Sequence, residues 1–221
     1  MSATVSDATT GNSNVAVGIS ALYRNTTTSN LVAVGDSALY NNTGEGNTAV
    51  GSKALFANTT GLYNAANGYN ALFSNQTGSY NTANGAFALF SNTTGGGNTA
   101  TGEYSLNANT TGSGNTATGA NVLVFNTSGE YNTATGFFTL DANTTGSSNT
   151  VSGVNALASN ITGSHNTASG RGALYLNKYG NSNVAIGTYA LFGNIASSNL
   201  VAVGDSSLWN NSAGGNSAVG S

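Results

Sequence analysis

The chain has 221 residues, 5% of them charged, with a formal net charge of −3; Gly is 31, Pro and Cys are 0, and His is 1. A soluble domain usually carries about 25% charged residues. The scarcity of Lys and Arg excludes binding to nucleic-acid phosphates, the absence of Cys excludes disulfides and thiolate metal sites, and a single His excludes a multi-His metal centre. No apolar run approaches the roughly 18–20 residues that span a bilayer, so no membrane insertion is expected. The shortage of Lys, Glu and Arg also argues against a helical protein.

In chain order, residues 1–10 read as an N-terminal tail, with neither the basic cluster nor the apolar stretch of a secretory signal. Residues 11–221 read as a single repeat domain. Gly18, Gly35, Gly51, Gly68, Gly85, Gly102, Gly119, Gly136, Gly153, Gly170, Gly187, Gly204 and Gly220 are 17 residues apart, except for two intervals of 16, at Gly35–Gly51 and Gly204–Gly220. A leucine follows each of the first twelve by four residues, from Leu22 to Leu208, and an asparagine follows by seven, from Asn25 to Asn211. Two residues before each glycine stands Ala, with Val151 as the exception. A period this short and regular signals a solenoid.

Each repeat begins with an expected strand of the type Asn-Thr-Ala-Val-Gly, whose alternation sends Ala to one face and its two neighbours to the other. A second short strand is expected at Ala-Leu-Phe, with Leu and the aromatic residue on opposite faces. Asn-Thr-Thr-Gly reads as a turn, in which Asn and Gly tolerate positive φ. The register glycine implies a left-handed φ or a close backbone approach. The expected fold is all-β, a parallel β-roll or β-solenoid of about twelve 17-residue coils. Coils stacked at about 4.8 Å would extend roughly 58 Å.

The expected interior is thin, with one Ala and one Leu per coil beside an Asn ladder. Burying a Leu contributes roughly 1.5–3 kcal/mol, while ordering each of 17 residues costs about 1–2 kcal/mol, so an isolated chain looks poorly stabilised. The outward rows then matter. The residue before each register glycine is apolar near the ends (Val17, Val34, Val50, Ile186, Val203, Val219) and polar from Asn67 to Ser169. The residue after each Leu is aromatic toward the ends and mixed in the centre. Exposed apolar stripes need cover, and other copies of the same chain supply it most simply. The six aliphatic residues are the expected oligomer interface. Residues 11–52 and 180–221 align without a gap, which reads as repeat duplication, or else as a paired cap or end-to-end stacking surface.

The run Asn47-Thr48-Ala49-Val50-Gly51-Ser52-Lys53-Ala54-Leu55-Phe56-Ala57-Asn58-Thr59-Thr60-Gly61 resembles the N-T-A-I-G-x-x-A-L-x-x-N-T-T-G repeats of viral and phage tail-fibre proteins. Asn14-Val15-Ala16-Val17-Gly18 is similar to the shorter repeat of trimeric autotransporter adhesin heads. The resemblance spans residues 11–221. It implies a homotrimeric β-roll in a fibre that attaches to a surface through a host receptor or glycan, extracellular or on a virion. The middle coils depart from it, with Asn, Thr or Ser in place of Val or Ile. The C-terminal chaperone domain common in such fibres is not seen, so trimerisation is expected to be encoded in the roll or elsewhere.

Catalytic chemistry finds little support, and no enzyme, cofactor or metal is expected. His165 stands where other repeats carry Tyr63, Tyr80 or Tyr131 and reads as a ladder substitution. Asp7, Asp36, Glu45, Glu103, Glu130, Asp141 and Asp205 fall at scattered repeat positions and set up no acid–base pair. Gly95-Gly96-Gly97 lacks the Lys and helix of a phosphate loop. Asn58-Thr59-Thr60 and Asn92-Thr93-Thr94 read as turn ladders, since coils about 4.8 Å apart cannot each carry a glycan. One array stands out: Thr99 and Thr101, Thr116 and Thr118, Thr133 and Thr135, flanked by Thr150-Val-Ser152 and Thr167-Ala-Ser169. Two outward Thr rows on a charge-poor solenoid resemble the ice-binding faces of β-solenoid antifreeze proteins. The leading expectation is a non-enzymatic fibre module. A monomeric ice-binding solenoid is the alternative, and a self-stacking filament subunit is a weaker one.

Overall fold

The computed structural model describes residues 10–211 and 215–220. Most of the tail at 1–10, with Asp7, lies outside the described residues. The chain is all-β and forms a parallel β-solenoid. Its strands are β1 (Val15–Val17), β2 (Val32–Val34), β3 (Thr48–Val50), β4 (Ala65–Asn67), β5 (Thr82–Asn84), β6 (Thr99–Thr101), β7 (Thr116–Thr118), β8 (Thr133–Thr135), β9 (Thr150–Ser152), β10 (Thr167–Ser169), β11 (Val184–Ile186), β12 (Val201–Val203) and β13 (Ser217–Val219). Two compact units divide at Ser113 and Gly114. The first holds β1–β6 and the second β7–β13, each stacked in chain order. Partners lie one repeat apart, as in Ala66 opposite Ala83, or Ala33 opposite Ala49 across a short interval.

The expected second strand does not form. Ala-Leu-Phe lies within a run of turns, and each coil holds one three-residue strand. The cause is backbone chirality at Leu. All twelve, Leu22 to Leu208, adopt φ between 50° and 55°. A left-handed residue bends the chain where a strand would extend it, at about 1–2 kcal/mol for a residue with a Cβ. Burial offsets this cost: Leu22 through Leu191 are all fully enclosed, each contributing roughly 1.5–3 kcal/mol. Leu208 is only partly covered. The backbone is also fixed by hydrogen bonds, since Leu72 N–H donates to Ala88 O at 3.0 Å and Leu72 O accepts from Asn75 N–H at 3.2 Å.

Positive φ is also misplaced in the sequence reading of Asn-Thr-Thr-Gly. It falls on Leu, on the residue two before it and on the residue two before each strand, not on the turn's Asn or Gly. Gly61 and Gly78 serve for space instead: a Cβ on either would overlap the carbonyl of the glycine one coil on, Gly78 or Gly95. The register glycines behave as expected. Gly187, with φ +130°, lies so close to the Gly204 carbonyl that a Cβ would overlap it.

The interior is fuller than one Ala and one Leu. In the coil of β10, buried Ala168, Ala173 and Leu174 lie with Asn166 and Asn177, which are also buried. The two Asn rows are hydrogen-bonded along the stack. Asn143 donates to Asn126 Oδ1 at 2.7 Å, Asn160 to Asn143 at 2.7 Å and Asn194 to Asn177 at 2.8 Å. In the second row, Asn132, Asn149 and Asn166 each place both backbone N–H and Nδ2 on the preceding Asn Oδ1, and Nδ2 also bonds a turn carbonyl. An amide can donate and accept at once, so a buried row of them satisfies itself.

Candidate functional site

Two outer surfaces carry chemistry. The first is the strand face. With Ala, or Val151 in β9, at the centre of each strand, the first and third residues point out, as alternation requires. Val17 is 55% exposed, Val50 38%, Ile186 43% and Val219 84%, while Val34 and Val203 are half-buried. In the first unit Val17, Val34 and Val50 are direct register neighbours, and in the second Ile186, Val203 and Val219 are. The aliphatic residues picked out by the sequence therefore form a continuous row in each unit.

The threonines lie on the same face. Thr116 pairs in register with Thr133, and Thr118 with Thr135, followed by Thr150 and Ser152, then Thr167 and Ser169. Thr118, Thr133 and Thr135 are exposed and Thr116 half-buried. Thr99 and Thr101, both half-buried, stand in the first unit beside Thr82 and Asn84.

The second surface is built on the turns. Tyr23, Tyr40, Phe56, Phe73 and Phe90 stack in one file with ring centroids 5.0 to 5.3 Å apart. Offset-stacked rings at this spacing attract beyond their area burial. In the second unit Tyr175, Phe192 and Trp209 form the same file, at 5.2 and 4.6 Å. A further file, two residues after the register glycines, escaped the sequence reading. Phe87 stacks on Tyr104 at 5.0 Å, and Tyr189 meets Phe192 and Trp209 edge-on. Reading that position at the 17-residue beat reveals it. The guanidinium groups of Arg24 and Arg171 sit 5.8 Å from the Tyr40 and Tyr189 rings, within reach of cation–π attraction.

Two cavities open on this surface in the second unit. One, of about 430 Å³, lies beside Gly172 against Tyr175, Tyr189, Phe192 and Trp209. The other, of about 440 Å³, lies between Asp141 and Tyr175. Burial raises the Asp141 pKa above its ordinary 3.8, as desolvation of a charged carboxylate must. His165 is exposed, its backbone N–H bonded to Ser147 O at 3.0 Å. Among the described residues no three His, Asp or Glu gather into a metal-holding cluster. No family model, curated protein or solved structure matches the chain.

Proposed function

We propose that the chain is a non-enzymatic structural and adhesive module of a fibre, a homotrimeric β-roll that attaches to a surface outside the cell or on a virion. The aliphatic row on the strand face carries this reading. Val17, Val34 and Val50, and Ile186, Val203 and Val219, stand side by side on an outer surface of a chain with few charges to keep it apart from its copies. Contiguous exposed apolar residues mark association surfaces. Light scattering tests the assembly, with an expected mass of three times 21.8 kDa. Val34→Asp with Val203→Asp would bury unpaired charge, and the mass should fall to that of one chain. An unchanged mass overturns the interface.

A monomeric ice-binding solenoid is the second reading, favoured by the paired Thr rows of β7 and β8 and their continuation into β9 and β10. Thermal hysteresis decides between the two. Hysteresis lost on changing Thr101, Thr118 and Thr135 to Lys, in a chain of monomer mass, would establish the ice binder in place of the fibre.

A further inference from the structure

The aromatic file of the second unit has a missing rung. Five residues after each register glycine stand Val124, Asp141, Ala158, Tyr175, Phe192 and Trp209. Tyr175 stacks on Phe192 on one side. On its other side the neighbouring coil places Ala158 at the stacking position, with Asn155 and Ser159 nearby, and no ring contact is made on that face among the described residues. Asp141 and Tyr175 are two coils apart, about 9.6 Å at the usual strand spacing, and the cavity of about 440 Å³ occupies the interval. Such a volume is in the range of small-molecule sites, roughly 300–1,000 Å³.

The rim is polar and mixed. Asp141, Asn155, Ser159 and Lys178 line the cavity with Tyr175 and Ala158, and Phe138, Ala142 and Ile161 complete its apolar side. The half-buried Asp141 carboxylate has no hydrogen bond or ion pair among the described residues, and burial is the sole cause of its raised pKa. A carboxylate shielded in part from water gains from a ligand donor that reaches it. A carboxylate only accepts, an ammonium only donates, and an amide and a hydroxyl do both.

We propose that this gap binds the ring of a neutral hexopyranoside, which takes the place of the missing aromatic rung over Ala158. One C–H face of the sugar lies on Tyr175, and hydroxyls at its edge donate to Asp141, accept from Lys178 and exchange hydrogen bonds with Asn155. A flat aromatic ligand would fill the rung but offer no edge hydroxyls to Asp141, Asn155 and Lys178. The ligand class rests on the attachment reading for its biological sense. The pocket itself lies within one chain, so its test reads sugar contact and the trimer test reads mass, and either can fail alone.

Saturation-transfer NMR on the full chain tests the proposal, with the methyl glycosides of glucose, galactose and mannose as probes and indole as the aromatic competitor. At about 10 mM probe a 1 mM site is roughly 90% filled. The expected result is transfer to ring C–H protons of at least one glycoside. Tyr175→Ala should weaken binding about tenfold or more, and Asp141→Asn several-fold. Ala158→Tyr supplies the missing rung and should abolish binding while leaving the circular dichroism unchanged. Three results overturn the proposal: no transfer to any glycoside, transfer that persists in Ala158→Tyr, or indole bound in preference to every sugar.

Discussion

The coils entering β2 and β12 differ from those entering β8, β9 and β10 at the same buried position. Leu31 and Leu200 stand there in the first group, Asn132, Asn149 and Asn166 in the second, and all five are buried. In these coils Val32 and Val34, or Val201 and Val203, accompany the leucines and Thr and Ser the asparagines, although Asn183 precedes the apolar β11. The strand pairing is parallel in both groups. The backbone path thus does not depend on whether this row is apolar or amide-bonded. What is common to both groups is the register glycine, the left-handed Leu and the first Asn row.

If that common frame carries the stability, breaking it should cost most. Leu123→Ala in the second unit should lower unfolding free energy by about 2–5 kcal/mol in denaturant titration, since Leu123 is fully enclosed. A smaller but clear loss is expected for Asn160→Leu. That change removes the donor to Asn143 Oδ1, while Gly163 O keeps Asn149 Nδ2 and Asn177 Nδ2 keeps Gly180 O, so one buried group is left unpaired at about 1–3 kcal/mol. Asn149→Leu in the second row should cost less than Asn160→Leu, because the chain already accommodates Leu31 and Leu200 there. Equal losses would erase the distinction between the two rows.

The smallest effect concerns Asp141. Its folded pKa is raised, so the folded state binds more protons than the unfolded state as pH passes up through the carboxylate range. Stability should therefore fall as pH rises from the ordinary carboxylate value of 3.8 through the raised folded value, then level off. Asp141→Asn should melt higher than wild type at neutral pH, with the difference vanishing near pH 3. A difference independent of pH would place the effect in packing rather than charge.

Much was legible in the sequence. The 17-residue period, the parallel stacking, the inward Ala and Leu and the outward Val and Thr rows all follow from residue spacing. Each residue lies over the one a repeat away, and strand alternation assigns its face. The aromatic file from Tyr23 to Phe90 was equally visible, though not its consequence at Ala158, where the absence of a ring matters only once rings are known to stack at about 5 Å.

What the tertiary structure alone decided was the path between the strands. Leu is an ordinary strand or helix residue, and nothing in its side chain announces a φ near +50°. From Leu22 to Leu191 that conformation is accompanied by full burial within the stack, and Leu72 N–H bonds the following coil. The same holds for the second Asn row, whose amides bond the neighbouring coil. The sequence by itself determined the repeat and its phase because periodicity is a one-dimensional property. The turn chirality, the amide pairing and the empty rung arise between coils, where residues far apart in the chain come within a few ångströms of each other.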